Sequence, residues 1–189
     1  KKSTQVGSKN KLKRFNENNT FHNVFQPKRE ELVDAVYPLK GQWNQQFFKN
    51  NNSLVLELGC GKGEYPVGLA ERYPNKNFIG IDIKGARFWR GAKTAIENKM
   101  PNVAFIRAQI ELIEELFVSN EVDEIWITFP DPQIKYKRTK HRMTNATFLK
   151  RYKNILNDAG IVHLKTDSEF MHGYTLGLLH GQGHEVQYA

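Results

Sequence analysis

Three glycines in alternate positions, Gly59, Gly61 and Gly63, follow directly on the apolar run Leu54-Val55-Leu56-Glu57-Leu58. Glycine has no Cβ, so such a turn folds tightly and lets a ligand lie against its backbone. The run before it is short, rich in Leu and Val, and lacks helical spacing, as expected of a buried parallel strand. Residues 64–73 then read as a helix. Strand, glycine turn and helix together form the entry to a nucleotide-binding βαβ unit, with the ligand at the carboxyl end of the strand. Two acidic residues sharpen the chemistry. Glu57 stands two positions before the first glycine, and Glu64 occupies the place of the third glycine in a dinucleotide fingerprint. Carboxylates there repel a pyrophosphate and suit an ammonium or a sulfonium. The expected ligand is S-adenosylmethionine rather than NAD.

Further groups fall at the ends of later strands. Asp82 closes a strand predicted over residues 77–81 and lies 19 residues past Gly63, close to the spacing at which a carboxylate meets a ribose diol. A third strand is predicted over 103–107, and Gln109 and Ile110 follow it. Gln109 has the chemistry to hydrogen-bond an adenine amino group, and Ile110 to pack on the ring face. A fourth strand within 121–129 runs into Phe129-Pro130-Asp131-Pro132, where two prolines fix the backbone on both sides of one carboxylate. A doubly wound sheet crosses between its halves at this point, so Asp131 is expected in the cleft. Residues 133–142 (QIKYKRTKHR) come next and hold five cations and one His. Lys135, Lys137, Arg138, Lys140, His141 and Arg142 therefore read as a phosphate-binding loop beside the reaction centre. The fifth strand, 161–164, ends in Lys165-Thr166-Asp167, again on the ligand side.

The elements that must position these groups alternate along the chain. Residues 1–20 read as a mobile basic arm, and the aromatic and apolar residues of 21–25 as anchors. A short docking segment is expected over 28–38 and a helix over 42–49. Further helices are predicted over 84–99, 111–117, from Thr144 or Asn145 to 156, and over 168–180. Residues 157–160 read as a turn, and 185–188 as the start of a sixth strand. Strands alternating with helices predict an α/β fold with a largely parallel, doubly wound sheet covered by helices on both faces. Residues 21–189 form one domain.

Composition narrows the partners. The net charge of +8 over 189 residues is unevenly spread. Residues 1–29 and 131–153 each carry net +7, so the remainder of the chain is net −6. Two basic segments on an acidic body point to a polyanion held at a defined surface. No apolar run approaches the ~18 residues of a membrane span, and neither basic segment has the apolar face of an interfacial helix. A single cysteine, Cys60, excludes an internal disulfide and fits a reducing cytoplasm; it reads as a small filler, not a nucleophile. Monomer and homodimer are equally compatible with these residues, and no metal-ligand set is expected.

The motifs Glu57-Leu58-Gly59-Cys60-Gly61-Lys62-Gly63, Gly80-Ile81-Asp82, Phe129-Pro130-Asp131-Pro132 with Lys135, and Lys165-Thr166-Asp167 together resemble the bacterial tRNA (guanine-N7-)-methyltransferase family. The resemblance runs from about residue 21 to the end. It implies a Rossmann-like class I methyltransferase that uses S-adenosylmethionine, releases S-adenosylhomocysteine, and methylates N7 of a guanine in the tRNA variable loop. It implies cofactor contacts at Glu57, Asp82, Gln109 and Asp131, with Gly59, Gly61 and Gly63 forming the turn. Asp131 matches the family's proposed catalytic residue, Lys135 and Asp167 its substrate contacts, and residues 137–142 its RNA-contact loop. The chain departs from the family pattern at Gln133, commonly Trp, and at Gln109, commonly acidic. The family's late Thr-x-Phe/Tyr-Glu motif has no counterpart before Ala189, so the closing C-terminal strand is expected to be missing. The stretch Asp131-Pro132-Gln133 lacks the aromatic that amino-group methyltransferases use to stack a flipped base, which disfavours an adenine-amine target. A non-catalytic RNA-binding protein with a methyltransferase-like fold is the alternative.

Overall fold

A computed structural model describes residues 6–189. Its framework is a six-stranded, wholly parallel sheet in the order β1-β4-β3-β2-β5-β6. The strands are β1 (Val24–Phe25), β2 (Ser53–Leu58), β3 (Lys76–Ile81), β4 (Val103–Ile106), β5 (Val122–Thr128) and β6 (Leu156–Lys165). The helices are α1 (Val6–Asn18), α2 (Arg29–Val33), α3 (Glu64–Arg72), α4 (Gly85–Glu97), α5 (Ile113–Leu116), α6 (Ala146–Ile155) and α7 (Glu169–Gly181). From β2 the chain winds outward through β3 and β4, then returns to lay β5 and β6 on the other side. The crevice between the carboxyl ends of β2 and β5 is therefore the topological switch point, where such sheets bind ligands.

Residues 54–58 of β2 are all buried, because helices cover both faces of the central strands. Leu54, Leu56 and Leu58 join Trp43, Phe117 and Tyr152 in one core cluster, and Val55 joins Phe78, Phe88 and Phe105 in the other. The predicted helix over 42–49 is a single wide helical turn, Trp43–Phe48. It exists to bury Trp43, whose indole N–H donates to the Leu116 carbonyl at 3.0 Å.

Four expectations are corrected. The segment taken as a mobile arm is helical over Val6–Asn18, and its end is seated on α4. Asn18 is fully buried and donates to the Gly85 carbonyl at 2.9 Å, while Glu17 accepts from Trp89 Nε1 and from Lys93 Nζ. The first five residues lie outside the described residues. The anchors of 21–25 include a sixth strand, β1, which adds to the free edge of β4 through Phe105 N–H to Asn23 O and Arg107 N–H to Phe25 O, each 2.8 Å. Residues 157–160 form an outward bulge inside β6 rather than a separate turn, since Val122 faces Leu156 and Glu124 faces Ile161. Residues 185–188, expected as a strand, find no ladder partner among the described residues and stay irregular.

Candidate active site

The glycine turn joins the buried end of β2 to α3. Gly59, Gly61 and Gly63 all have positive φ, at 73°, 55° and 77°, a region open to glycine and strained for most other residues. Their surroundings divide them. A Cβ on Gly59 or Gly61 would meet nothing closer than 3.8 Å, whereas one on Gly63 would lie 2.6 Å from the Phe105 ring. The first two glycines keep the backbone open to a ligand; Gly63 makes room for the core. Gly91 of α4 approaches the same place, and its N–H donates to the Lys62 carbonyl at 3.0 Å. Cys60 is buried, and burial drives its thiol pKa up, as a filler requires.

Glu57 is 4% exposed, at the carboxyl end of β2. The Thr128 hydroxyl donates to its Oε1, while its Oε2 is buried without a partner. Burial is the main cause that raises the Glu57 pKa to about 7; the Thr128 bond opposes it and nearby Asp82 adds to it. An unpartnered buried carboxylate oxygen is unfavourable in the free protein, and a cationic ligand group would satisfy it. Asp82 is also buried, and its oxygens accept from Gly61 N–H at 3.0 Å and Lys84 N–H at 2.8 Å. It thus fixes the turn as well as standing at the end of β3. Two buried carboxyl groups beside an open glycine turn fit S-adenosylmethionine, whose ammonium would favour the ionised form of Glu57.

Gln109 and Ile110 follow β4. Gln109 is exposed, and its carbonyl oxygen accepts from Arg29 at 2.7 Å, so that oxygen has a competing partner within the chain. Arg29 was not legible as a site residue, since 80 positions separate the two.

Asp131 comes three residues after Thr128, the residue bound to Glu57. It borders an open cavity of about 490 Å³ lined by residues 131–135, Lys137 and Arg138. Its backbone surroundings are strained: Phe129 and Gln133 have φ of 47° and 49°, conformations that cost ~1–3 kcal/mol each and collect at functional sites. Phe129 is held there by its N–H to the Lys165 carbonyl at 2.7 Å, and Gln133 by its N–H to Asp131 Oδ1 at 3.0 Å.

The basic loop is a short helical turn, Tyr136–His141. Lys135, Lys137, Arg138, Lys140 and His141 are exposed on it. Arg142 is not, and here the expectation of a phosphate contact is corrected. It is 6% exposed, donates to the carbonyls of Gln133 and Ile134 at 3.1 Å each, and stacks over Phe170 and Tyr174. Its guanidinium braces the loop from behind. Asn145 assists: it caps α6 by accepting from Phe148 N–H at 2.9 Å and donates to the Thr139 and Lys140 carbonyls.

Asp167 is exposed just past β6 and makes no side-chain hydrogen bond among the described residues. Lys165 makes several contacts that sequence reasoning did not assign. Its ammonium donates to Tyr65 Oη at 3.2 Å and lies over the Tyr65 and Phe129 rings. Thr128 was missed too. Its signal was strand parity, because Glu57 faces Trp126 across the ladder and Thr128 shares the face of Trp126.

Comparison with known proteins agrees with this geometry. Residues 51–184 match a family described as "Putative methyltransferase". The chain is 73% identical over 184 residues to the tRNA (guanine-N(7)-)-methyltransferase of Christiangramia forsetii, covering 97% of this chain and 82% of that protein. It is 48% identical to the Bacteroides fragilis protein of the same name, covering 95% and 71%. A solved antibiotic-related methyltransferase shares the fold, with a TM-score of 0.58 at 21% identity over 74% of this chain and 72% of its own. With this identity across nearly its whole length, the chain belongs to the tRNA (guanine-N(7)-)-methyltransferase family.

Proposed function

We propose that this protein transfers a methyl group from S-adenosylmethionine to N7 of a guanine in the variable loop of tRNA. The observation that carries the reading is the adjacency of Glu57 and the Asp131 segment at neighbouring strand ends, joined through Thr128 and leading straight into an exposed basic loop. Family membership supplies the target base.

S-adenosylmethionine, when bound, supplies an electrophilic methyl on a sulfonium. Guanine N7 already carries a free lone pair at neutral pH, so no general base is needed to start transfer. The chain's contribution is placement and electrostatics. Glu57 presents its unpartnered oxygen to the donor's ammonium, and Gly59 and Gly61 leave the backbone open beside it. Asp82 would hold the donor's ribose hydroxyls, and Gln109 and Ile110 would contact its adenine. Asp131 orients the base and offsets the positive charge that develops on the purine as the bond forms. Lys135 and Asp167 face the acceptor, and Lys137, Arg138, Lys140 and His141 hold phosphates.

Methyl transfer from labelled donor to bulk tRNA, followed by nucleoside analysis, tests the reading. Label in 7-methylguanosine is expected; label in another nucleoside, or none, overturns it.

A further inference from the structure

Two basic surfaces flank the glycine turn. A Cβ on Gly59 would lie 3.8 Å from Met143 Sδ, and one on Gly61 would lie 3.8 Å from Arg87 Nη2. Met143 leads back to the basic loop after Asp131. Arg87 opens on a second cavity, of about 630 Å³, between α1, the turn and α4. Six cations line it: Lys11 and Arg14 from α1, Lys62 from the turn, Lys84 just before α4, and Arg87 and Arg90 from α4. Glu64 is the one acid on its wall. Among the described residues only Arg90 of these six makes an ion pair, a long 3.8 Å contact with half-exposed Glu97.

The docking of α1 creates this assembly. Asn18 and Glu17 anchor the end of the helix, and the Arg14 guanidinium lies 4.9 Å over the Trp89 ring. That contact sets the cations of α1 against those of α4 instead of against acids. Like charges gathered in one concavity repel each other, and a low-dielectric wall focuses their potential. A polyanion relieves the repulsion. S-adenosylmethionine carries a carboxylate beside its ammonium and sulfonium and is net +1, so a wall of six cations favours a polyanion over the donor.

We infer that the α1–α4 groove is a second phosphate-binding surface for the RNA substrate, so that the RNA backbone spans the glycine turn between the basic loop and α1. The inference rests on tRNA being the substrate. It gives the N-terminal helix a direct part in RNA binding, on the side of the turn opposite Asp131.

The test compares Lys11→Ala/Arg90→Ala, and the triple variant adding Arg14→Ala, with the wild type. The double variant keeps the Arg14–Trp89 stack, so it serves if the triple variant fails to fold. Both spare Lys62, Lys84 and Arg87 beside the turn. tRNA affinity is measured across a salt series, with S-adenosylmethionine affinity measured in parallel. The slope of log K on log salt is expected to shrink by about 1.4–1.8 in the double variant and about 2.1–2.7 in the triple, from ~0.7–0.9 for each phosphate-binding cation removed. Donor affinity is expected to stay unchanged. An unchanged slope in the folded double variant overturns the inference. If the wild type forms 7-methylguanosine while the slope is unchanged, the groove alone fails. If it forms none while the slope shrinks, the methylation reading fails and the groove stands as an RNA surface.

Discussion

Thr128 donates its hydroxyl proton to one carboxylate oxygen of Glu57, and the other oxygen is left buried and unpartnered. The β2–β5 ladder makes this pairing, at the point where the sheet changes direction. A buried acid satisfied on one side only is primed for a cation on the other.

Glu57 should make stability and donor binding depend on pH in opposite directions. Its pKa is raised from 4.5 to about 7 in the folded protein. Between those values the folded state holds a proton that the unfolded chain has released. The stabilisation is full below pH 4.5 and is lost as pH rises through 7. Thermal melts of the free protein should therefore fall across that window, and Glu57→Gln should flatten the dependence. Donor affinity should rise from pH 6 to 7.5 as the carboxylate ionises, and Glu57→Gln should weaken it by about tenfold or more, the equivalent of one charged hydrogen bond. Titration calorimetry at the two pH values checks both.

Asp131→Ala should sharply slow methyl transfer while tRNA still binds. The loss in kcat is expected to be on the order of 10²–10³, typical for removing one preorganised electrostatic group. Single-turnover kinetics beside a binding assay checks this; near-normal turnover would remove Asp131 from the mechanism.

Arg142 and its lysine neighbours should separate cleanly. Arg142→Ala strips two backbone carbonyls of their donor and two rings of their cation, at a stability cost of about 2–4 kcal/mol. Lys137→Ala and Lys140→Ala should leave stability within ~0.5 kcal/mol and reduce the salt slope of tRNA binding by ~0.7–0.9 each. Denaturant unfolding and salt titrations distinguish the two effects.

Two glycines of the turn should respond differently. Gly63→Ala drives a Cβ into the Phe105 ring and should destabilise by about 2–3 kcal/mol or more. Gly59→Ala makes only an ordinary van der Waals contact with Met143 at 3.8 Å, so it should cost roughly 1 kcal/mol of backbone strain. Its larger effect should fall on donor affinity. Melting temperatures and donor titrations on the same pair of variants check the contrast.

The order of elements was legible because it follows from local signals. Apolar runs ending in Glu57, Asp82 and Thr128 mark strands whatever their neighbours, and Asn145 capped α6 where a cap was expected. The strand 185–188 was misread for a related reason: its composition suits a ladder, but a strand exists only when a partner offers hydrogen bonds. The arm was misread because its charge suggested solvent, while Asn18 and Glu17 had buried or paired partners some 70 residues away.

By itself, the sequence determined the fold class, the glycine turn, the carboxylates at the strand ends and the basic loop, all carried by residue type and short spacing. Tertiary structure decided which of those groups share a site and which only support it. Arg142 turns inward while its basic neighbours stay exposed, Gly63 packs against the core, and Thr128 and Lys165 pair with Glu57 and Tyr65. The reason is physical. Burial, register and hydrogen-bond partnership arise between segments far apart in the chain, and no local pattern encodes which neighbour a side chain will meet. The glycine turn shows both halves: its three glycines were evident from spacing, but only packing against Phe105, Arg87 and Met143 assigned each its work.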